Sequence, residues 1–420
     1  MRIRLYNARL LTMESREVTE GTLIVKNDLI EYIGCDAEAP AGDFDREIDC
    51  KGNLLMPGLK DAHTHTAMTF ARSLADQYSL DDWLHKAIFP MEAKLTAEHI
   101  YWFTKLGFAE YIRGGITACF DMYFQSEAVA KAAIETGMRN VFCGSVNDYG
   151  GIDRLEEEYN HFNSIDPLVS YKLGFHAEYT TSEDIMKTIS DIAHKYKAPV
   201  YAHISETASE VAGCKERYGM TPAQLFDKLG LYDFGGGGFH CVWFDEKDME
   251  LYKNKGLYAV FNACSNLKLA SGIAPVSKFI ENNINIAIGT DGAGSNNSLS
   301  MFREMYLDTV LSNIAEGEAA AVDPFKILKA GTSGGAYCMG LDDCDILKAG
   351  KKADIIMLDM RHPNMNPVNN IPANIIYSCD VSSVLMTMIN GNILFENGEY
   401  TSLNIDEINS RCAELIKELR

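Results

Sequence analysis

The chain of 420 residues has few basic residues for its size and no long apolar segment. It contains 38 Lys and Arg against 59 Asp and Glu, a formal net charge of −21. A field of that sign repels nucleic acid polymers and anionic membranes, so neither is expected as a partner. Nowhere does an apolar run reach the roughly 18 residues that a membrane helix needs. The first residues alternate charged and apolar side chains, so no signal peptide is expected.

Paired cysteine motifs are also missing. The 11 cysteines are scattered from Cys35 to Cys412 without a CxxC pair, and their number is odd. This pattern disfavours a disulfide framework and is typical of reduced thiols. We therefore expect a cytoplasmic protein.

The middle of the chain repeats a strand-then-helix pattern between residues 57 and 345. Strands are predicted at Leu59–His65, Thr117–Tyr123, Asn140–Ser145, Tyr171–Ala177, Val200–Ile204, Gly238–Trp243, Tyr258–Ala263 and Ile284–Thr290. Helices are predicted between most of them, at Thr96–Arg113, Glu127–Gly137, Ser182–Lys195 and Thr221–Leu229. Such units in series predict an α/β fold, a (β/α)₈ TIM barrel over residues 57–345.

Both ends of the chain carry short strands instead. These are Ile3–Thr12, Thr22–Val25, Leu29–Ile33 and Glu47–Asp49, and then Asp354–Leu358, Val384–Ile389 and Ile393–Glu396. Neither set can bury a core of its own, so residues 1–56 and 346–404 are predicted to pair into one small β-sandwich. Apolar residues at three-to-four spacing predict a helix over residues 405–420.

Side chains that bind metals fall at the ends of four predicted barrel strands. They are His63 and His65 on the first strand, His203 on the fifth, His240 on the sixth and Asp291 on the eighth. Glu206 follows the fifth strand, where it could act as a general acid or base. Each residue alone has an ordinary explanation, such as a satisfied core histidine or an Asx turn. Together they lie at the carboxyl-terminal rim, where barrel enzymes carry their sites, and this indicates a metal-dependent active site.

Several segments together resemble the amidohydrolase superfamily, in its branch of adenosine-type and triazine aminohydrolases. They are Met56–His65, Ala67–Thr69, Leu80–Leu84, Tyr201–Glu206, Ser265–Leu269, Gly272–Val276, Gly289–Asn297 and Gly350–Asp354. Within that branch, the resemblance is closest to the 5′-methylthioadenosine/S-adenosylhomocysteine deaminases. It implies one divalent metal ion, held by His63, His65, His203 and Asp291. Zinc is favoured, and iron suits the same ligands.

Other superfamily members bridge two metal ions with a carboxylated lysine at the end of the fourth barrel strand. The only lysine of that predicted strand is Lys172, four residues before His176. At about 3.3 Å per residue it lies about 13 Å from the rim. A site for a single metal ion is therefore expected.

The resemblance also implies a reaction, the hydrolytic deamination of an adenine ring. An activated water would attack C6 while Glu206 protonates N1 of the ring. Asp291 would accept the proton of the water and pass it to the departing ammonia. His240 would orient the water and stabilise the developing charge.

Further positions concern the substrate. Glu92 matches a glutamate that binds the ribose hydroxyls, His176 a histidine that contacts the purine, and Trp83 offers an apolar wall. Arg154 matches a family arginine and is the first cation after the third strand, although it could equally pair with Glu156–Glu158 on the surface. The resemblance leaves open 5′-methylthioadenosine, 5′-deoxyadenosine, adenosine or S-adenosylhomocysteine as substrate, and it implies a homo-oligomer, either a dimer or a tetramer.

Two positions depart from the family pattern. Glu178 and Ala263 each stand where proline is usual. We expect Glu178 to add a carboxylate near the purine pocket and to alter the contacts with the base or the sugar.

Other readings stay open. The ring could be guanine, an oxidised purine or a pterin, or the reaction could be the dechlorination of a triazine. Cyclic-amide hydrolysis is disfavoured by the missing lysine. A catalytically idle metal-binding barrel is disfavoured by Glu206 and Asp291, because a purely structural metal needs no proton shuttle.

Overall fold

The computed structural model describes residues 1–419, and within them two separate β-sheets organise the chain. The first strands are β1 (Arg2–Leu10), β2 (Thr19–Lys26), β3 (Leu29–Gly34), β4 (Arg46–Asp49) and β5 (Leu54–Pro57). Those of the middle are β6 (Leu59–Thr64), β7 (Ile116–Asp121), β8 (Arg139–Cys143), β9 (Val169–Ala177), β10 (Val200–Ile204), β11 (Gly236–His240), β12 (Tyr258–Phe261) and β13 (Asn285–Ile288). The last are β14 (Ile355–Leu358), β15 (Val384–Ile389), β16 (Asn392–Glu396) and β17 (Glu399–Tyr400).

Strands β6 to β13 form a parallel sheet in which neighbours in sequence are neighbours in space. The seam between β13 and β6 is closed by polar contacts rather than by a regular ladder. The backbone N–H of Asp291 donates to the carbonyl of His63 at 2.9 Å, and that of Thr290 donates to Asp61 Oδ1 at 2.8 Å. The predicted (β/α)₈ barrel is confirmed, with strand ends shifted by a few residues.

Helices follow the barrel strands, and the last two follow strands of the other sheet. They are α1 (Leu80–Trp83), α2 (Phe89–Glu92), α3 (Ala97–Arg113), α4 (Ser126–Thr136), α5 (Ile152–Phe162), α6 (Glu183–Tyr196), α7 (Ala208–Tyr218), α8 (Pro222–Lys228), α9 (Glu246–Lys255), α10 (Ala263–Lys268), α11 (Val276–Glu281), α12 (Met301–Glu316), α13 (Pro324–Lys329), α14 (Gly335–Met339), α15 (Ile371–Tyr377) and α16 (Ile405–Leu419). Thr96 caps α3 in a capping box with His99. The predicted terminal helix is α16, and its last expected residue, Arg420, lies outside the described residues.

The second sheet joins both ends of the chain. Its order is β17-β16-β15-β14-β5-β1-β2-β3, with β4 also paired to β1. The two ends meet where β14 runs antiparallel to β5, and β1 runs parallel to both β4 and β5. Apolar side chains from both ends form its core, among them Leu5, Leu23, Ile355 and Met386. The two ends thus build one small β unit, while the boundaries 1–56, 57–345 and 346–404 stay predictions.

A buried ion cluster holds the terminal sheet against the amino-terminal end of the barrel. Arg139 Nε lies 2.9 Å from Asp354 Oδ2, and Lys60 Nζ lies 3.8 Å from the same oxygen. Buried charges are tolerated when they are paired in this way. This end of the barrel is filled, so ligands must enter from the other end, where the parallel strands finish.

Among the helices within residues 1–419, none combines the length and the apolar character that crossing a membrane requires.

Candidate metal centre and substrate pocket

Four imidazoles and one carboxylate converge at the carboxyl-terminal ends of β6, β10, β11 and β13. His65 Nε2 lies 3.3 Å from His203 Nε2 and 3.3 Å from Asp291 Oδ1. His63 Nε2 lies 3.6 Å from the same Asp291 oxygen. His240 completes a group with His63 and Asp291 whose donor atoms lie within 4.8 Å of one another. The structure thus brings together every residue that was predicted at the rim.

Backbone carbonyls orient two of these rings. The Nδ1 of His65 donates to the carbonyl of Met122 at 2.6 Å, and the Nδ1 of His203 donates to that of His176 at 2.7 Å. Because a carbonyl can only accept, the Nδ1 of each ring carries a proton, and Nε2 is the nitrogen that can bind a metal. Each Nε2 therefore presents its lone pair to the centre of the cluster, as metal-binding histidines do.

His63 indicates what this centre can hold. Both of its ring nitrogens are buried without a hydrogen-bond partner, and its ring stacks on Phe239 with centroids 3.9 Å apart. Burial lowers the pKa of His63 to about 3 and holds that of His203 well below the usual range. Both imidazoles are therefore neutral. Neutral imidazole nitrogens beside a carboxylate are a donor set that suits a divalent cation such as zinc or iron.

Two serines fix the carboxylate of Asp291. Its Oδ2 accepts from Ser265 Oγ at 2.5 Å and from Ser295 Oγ at 2.8 Å, which leaves Oδ1 facing the histidines. Burial alone would raise the pKa of Asp291, but His63, whose Nε2 lies 3.6 Å from Oδ1, and the other nearby imidazoles hold it well below its usual value. The residue has φ of 57°, a strained value for a non-glycine residue. Sequence reasoning missed these serines, although both lie in segments that carry the family resemblance.

Lys172 does not reach this centre. Its Nζ lies beside Gly340, which ends α14 at the amino-terminal end of the barrel. The side chain therefore points away from the histidines, as its position in β9 predicted.

Glu206 lies beside His240, next to the cluster. It is buried, its Oε1 accepts from Ser271 Oγ at 2.9 Å, and its Oε2 lies 3.7 Å from His240 Nε2. Burial raises the pKa of Glu206. Burial lowers the pKa of His240, but the carboxylates of Glu206 and Asp291 outweigh it and raise this pKa overall.

The Nδ1 of His240 lies 2.7 Å from Asn266 Oδ1, so this side chain is fixed as well. The backbone of His240 has φ of 76° at the end of β11. Such strain at a non-glycine residue is characteristic of functional sites. Hydrogen bonds from Ser271 and to Asn266 thus fix the glutamate and the histidine beside each other.

A pocket of about 400 Å³ opens above these residues. All the predicted substrate residues line it, namely Trp83, Glu92, Arg154, His176 and Glu206. Glu92 is half-buried at the end of α2 and accepts from the hydroxyl of Tyr123 at 2.7 Å. His176 ends β9 and its Nδ1 lies 2.7 Å from Thr180 Oγ1. The wall between α1 and α2 is apolar, so the pocket joins an apolar face to a few polar groups, as small-molecule sites do.

Arg154 is exposed near the amino-terminal end of α5, and within residues 1–419 it forms no ion pair. The expected alternative, an ion pair with Glu156–Glu158, is wrong. Glu156 instead pairs with Lys195 at 2.5 Å, and Glu158 accepts from the hydroxyl of Tyr171 at 3.0 Å. The guanidinium is therefore free to meet a ligand at the pocket.

The expectation for Glu178 is also wrong. Its carboxylate is buried against Arg217, with a distance of 2.5 Å from Arg217 Nη2 to Glu178 Oε2, and it does not line the pocket. Ala263 is the buried first residue of α10, a position where proline is common because its missing N–H has no helical partner. Neither departure puts a new polar group beside the substrate.

Similar proteins match this chain over nearly its whole length. The chain is 37% identical over 411 residues to a 5′-deoxyadenosine deaminase of Methanobrevibacter smithii, covering 96% of this chain and 94% of that protein. It is 36% identical over 431 residues to a 5-methylthioadenosine/S-adenosylhomocysteine deaminase of Caldanaerobacter subterraneus, covering 99% of each.

Solved structures share the fold. A crystal structure of an adenosine deaminase from Xanthomonas campestris with bound zinc superposes with a TM-score of 0.93 at 29% identity, covering 100% of this chain and 98% of that one. Atrazine chlorohydrolase from Arthrobacter aurescens, complexed with zinc, reaches 0.90 at 19% identity over 99% and 100% of the two chains, which shows the fold alone. The model of the family described as "Amidohydrolase family" matches residues 54–394. The chain therefore belongs to the amidohydrolase family.

Proposed function

We propose that this protein catalyses the metal-dependent hydrolytic deamination of the adenine ring of an adenosine-type nucleoside, giving the inosine analogue and ammonia. The observation that carries the proposal is the position of Glu206, a buried acid 3.7 Å from His240 and beside the histidine cluster, in a pocket that also holds Glu92. The names of the relatives at 36–37% identity support the same reaction.

His63, His65, His203 and Asp291 would hold one divalent ion. Such an ion supplies a Lewis acid that lowers the pKa of a water from about 16 towards about 7. Zinc is favoured because the adenosine deaminase of similar fold has bound zinc, and iron suits the same donors. Lys172, turned towards the other end of the barrel, supports a single ion.

The side chains around that centre would move the protons. Glu206, whose pKa is raised by burial, would carry the proton that is delivered to N1 of the ring. Asp291, whose pKa is held low, would accept the proton of the attacking water and return it to the departing ammonia. His240, fixed by Asn266, would orient the water and stabilise the charge that develops near C6.

The rest of the pocket fits a nucleoside. Glu92 would accept hydrogen bonds from the ribose 2′ and 3′ hydroxyls, for which a carboxylate is well suited. His176 would contact the purine and Trp83 would form an apolar wall. The exposed Arg154 would lie towards the 5′ group, which could be hydrogen, hydroxyl, methylthio or the homocysteine of S-adenosylhomocysteine.

The competing activities differ in whether the substrate has a ribose that Glu92 could bind. A free base such as guanine, a pterin or a triazine has no ribose for this carboxylate to bind. A catalytically idle barrel would leave Glu206 without a role, although burying a carboxyl group has a cost.

One panel separates these activities. Ammonia release is measured from adenosine, 5′-deoxyadenosine, 5′-methylthioadenosine, S-adenosylhomocysteine, adenine and guanine, each with and without a chelator. We expect release from nucleosides that the chelator abolishes. Release from guanine alone, or none from any compound with the metal restored, would contradict the proposal.

The proposal extends to assembly. We propose a homo-oligomer, either a dimer or a tetramer, because the resemblance to the family implies one. Light scattering coupled to size exclusion measures the mass directly against the 46.6 kDa of one chain.

A further inference from the structure

Glu206 lies on a tight turn that follows β10. Ser205, the residue before it, has φ of 49°, in the left-handed region that non-glycine residues avoid. A strained conformation of this kind persists only where the surrounding structure over-determines it. Two residues outside the pocket, Glu210 and Trp243, make the contacts that hold this turn.

Glu210 binds the backbone of the turn. It lies in the first turn of α7 and is buried. Its Oε1 accepts from the backbone N–H of Ser205 at 2.7 Å, and its Oε2 accepts from that of Glu206 at 2.8 Å. Both carboxylate oxygens are thus used on two successive N–H groups. This arrangement satisfies donors that would otherwise be buried and unpaired, and it sets the direction in which the Glu206 side chain leaves the backbone.

Trp243 links the backbone of the turn to Ser271, whose hydroxyl binds the Glu206 carboxylate. Its backbone N–H donates to the carbonyl of Ser205 at 2.9 Å. Its indole Nε1 donates to the carbonyl of Ser271 at 2.8 Å, and Ser271 Oγ in turn donates to Glu206 Oε1 at 2.9 Å. The ring is 47% exposed, so burial of apolar area alone does not account for its place. The indole N–H of Trp243 thus holds the Ser271 segment, which binds the Glu206 carboxyl group, at a fixed distance from the Ser205 backbone.

We propose that Glu210 and Trp243 are positioning residues that aim the Glu206 carboxyl group at His240 and the substrate. The inference rests on the proposed role of Glu206 as the acid. Neither residue lines the pocket, so neither touches substrate. Glu210 sets where the Glu206 backbone lies, and Trp243 sets where the Ser271 hydroxyl meets its carboxyl group. Loss of either should let Glu206 Oε2 leave its place 3.7 Å from His240 Nε2.

Two conservative variants isolate these contacts. Trp243→Phe keeps an aromatic ring and the backbone N–H and loses the five-membered ring of the indole with its N–H group. Glu210→Gln keeps one acceptor oxygen and turns an NH2 group towards a backbone N–H. The matched controls are Trp102→Phe, on α3 away from the pocket, and Asp248→Asn, a buried carboxylate that accepts from the backbone N–H of Asp245 at 3.2 Å.

We expect kcat for the preferred nucleoside to fall roughly 10- to 100-fold in Trp243→Phe and Glu210→Gln, since a misplacement of about 1 Å costs about 100-fold. KM and metal content should stay close to those of the unaltered protein, because the pocket walls and the metal ligands are untouched. The controls should keep kcat even where they lower the melting temperature. Unchanged kcat in both variants, or a rise in KM alone, would overturn the inference.

Crystal structures of the two variants give a readout that does not depend on the substrate. We expect the distance from Glu206 Oε2 to His240 Nε2 to lengthen in both. An unchanged turn and an unchanged distance in both variants would refute the positioning role. If the proposed function is wrong, the unaltered protein will release no ammonia from any nucleoside. In that case the crystal structures of the two variants still test the positioning of Glu206.

Discussion

Two buried carboxyl groups of the same pocket have their pKa values shifted in opposite directions. Burial raises the pKa of Glu206, whose partners are the Ser271 hydroxyl and His240. Asp291 is buried too, yet His63 and the neighbouring imidazoles hold its pKa well below the usual value. Environments that push two pKa values apart assign the acid and the base. Glu206 is thereby suited to give a proton and Asp291 to accept one.

The first prediction concerns Glu206→Gln. The amide keeps the shape of the side chain and can still accept from Ser271, but it has no acidic proton to deliver. We expect kcat for nucleosides to drop by roughly 10²- to 10⁴-fold, the usual contribution of general acid–base catalysis. Steady-state kinetics give the drop, and elemental analysis should show the metal content unchanged. A variant that keeps near-normal kcat would remove Glu206 from the mechanism.

The second prediction concerns Glu92→Ala. Glu92 accepts from the hydroxyl of Tyr123 at 2.7 Å and faces the pocket. Its removal should cost about 2–3 kcal/mol in kcat/KM for nucleosides, from hydrogen bonds to a charged group that are lost. Any weak activity on free adenine should be almost unchanged, since adenine has no ribose. An equal loss on both substrates would make Glu92 a structural residue.

The residues that sequence reasoning identified share a short-range signal. His63 and His65 are two apart on a strand, Glu206 follows His203 by three positions, and the ends of the predicted barrel strands placed them at one rim. Some of the residues that it missed act across long separations. Trp243 bonds to Ser271, 28 positions away. Such contacts depend on how the loops of neighbouring units meet, which no local pattern encodes.

At the scale of elements, the strand ends were the least predictable part. The sixth strand was expected at Gly238–Trp243, because glycines are usually depleted in strands and the start was placed after most of them. It in fact spans Gly236–His240. Here they are required. A Cβ on Gly237 would lie 2.1 Å from the carbonyl oxygen of Tyr258 on β12, and one on Gly236 would lie 2.0 Å from that of Val200 on β10. The glycines mark a close approach of three strands, which depends on tertiary packing and not on the local sequence pattern.

The third prediction concerns the segment between β8 and α5, which lies over the pocket. Ser145, Asn147, Tyr149 and two glycines line it there, and Arg154 is the first cation after them. Docking the carboxylate of a homocysteine tail normally calls for buried or paired cations, and one exposed arginine on a chain of net charge −21 gives little help. We expect a higher kcat/KM for 5′-deoxyadenosine, 5′-methylthioadenosine or adenosine than for S-adenosylhomocysteine.

Competition between these substrates measures that preference. Arg154→Gln is the matched variant, and it should weaken turnover of S-adenosylhomocysteine while leaving that of 5′-deoxyadenosine nearly intact. A clear preference for S-adenosylhomocysteine in the unaltered protein would show that this account of the 5′ region is wrong.

At the scale of the whole molecule, both ends of the chain support the barrel. The sequence indicated that these ends share a sheet, because neither set of strands could bury a core alone. It did not indicate the strand order, in which β1 runs parallel to β4 and β5, since pairing partners depend on the complete sheet. The Asp354 carboxylate then joins the terminal sheet to Arg139 and Lys60 in the barrel. The barrel that carries the site is thus braced at the end away from the chemistry.

The last prediction concerns the metal and the stability of the molecule. The barrel seam is closed by few contacts, and Asp291 and His63 form one of them at 2.9 Å while also facing the centre. An ion held by His63, His65, His203 and Asp291 would link strands β6, β10 and β13. It should therefore stabilise the folded state by mass action. We expect about one divalent ion per chain, a lower melting temperature after chelation, and recovery with zinc or iron.

Two variants separate this account from a centre with two ions. His203→Asn should lower the metal content and remove the effect of chelation on the melting temperature. Lys172→Met should leave both unchanged, because Lys172 Nζ lies beside Gly340 at the opposite end of the barrel. Elemental analysis and thermal unfolding give the two readouts. Two tightly bound ions in active protein, or loss of metal in Lys172→Met, would contradict a centre that binds a single ion.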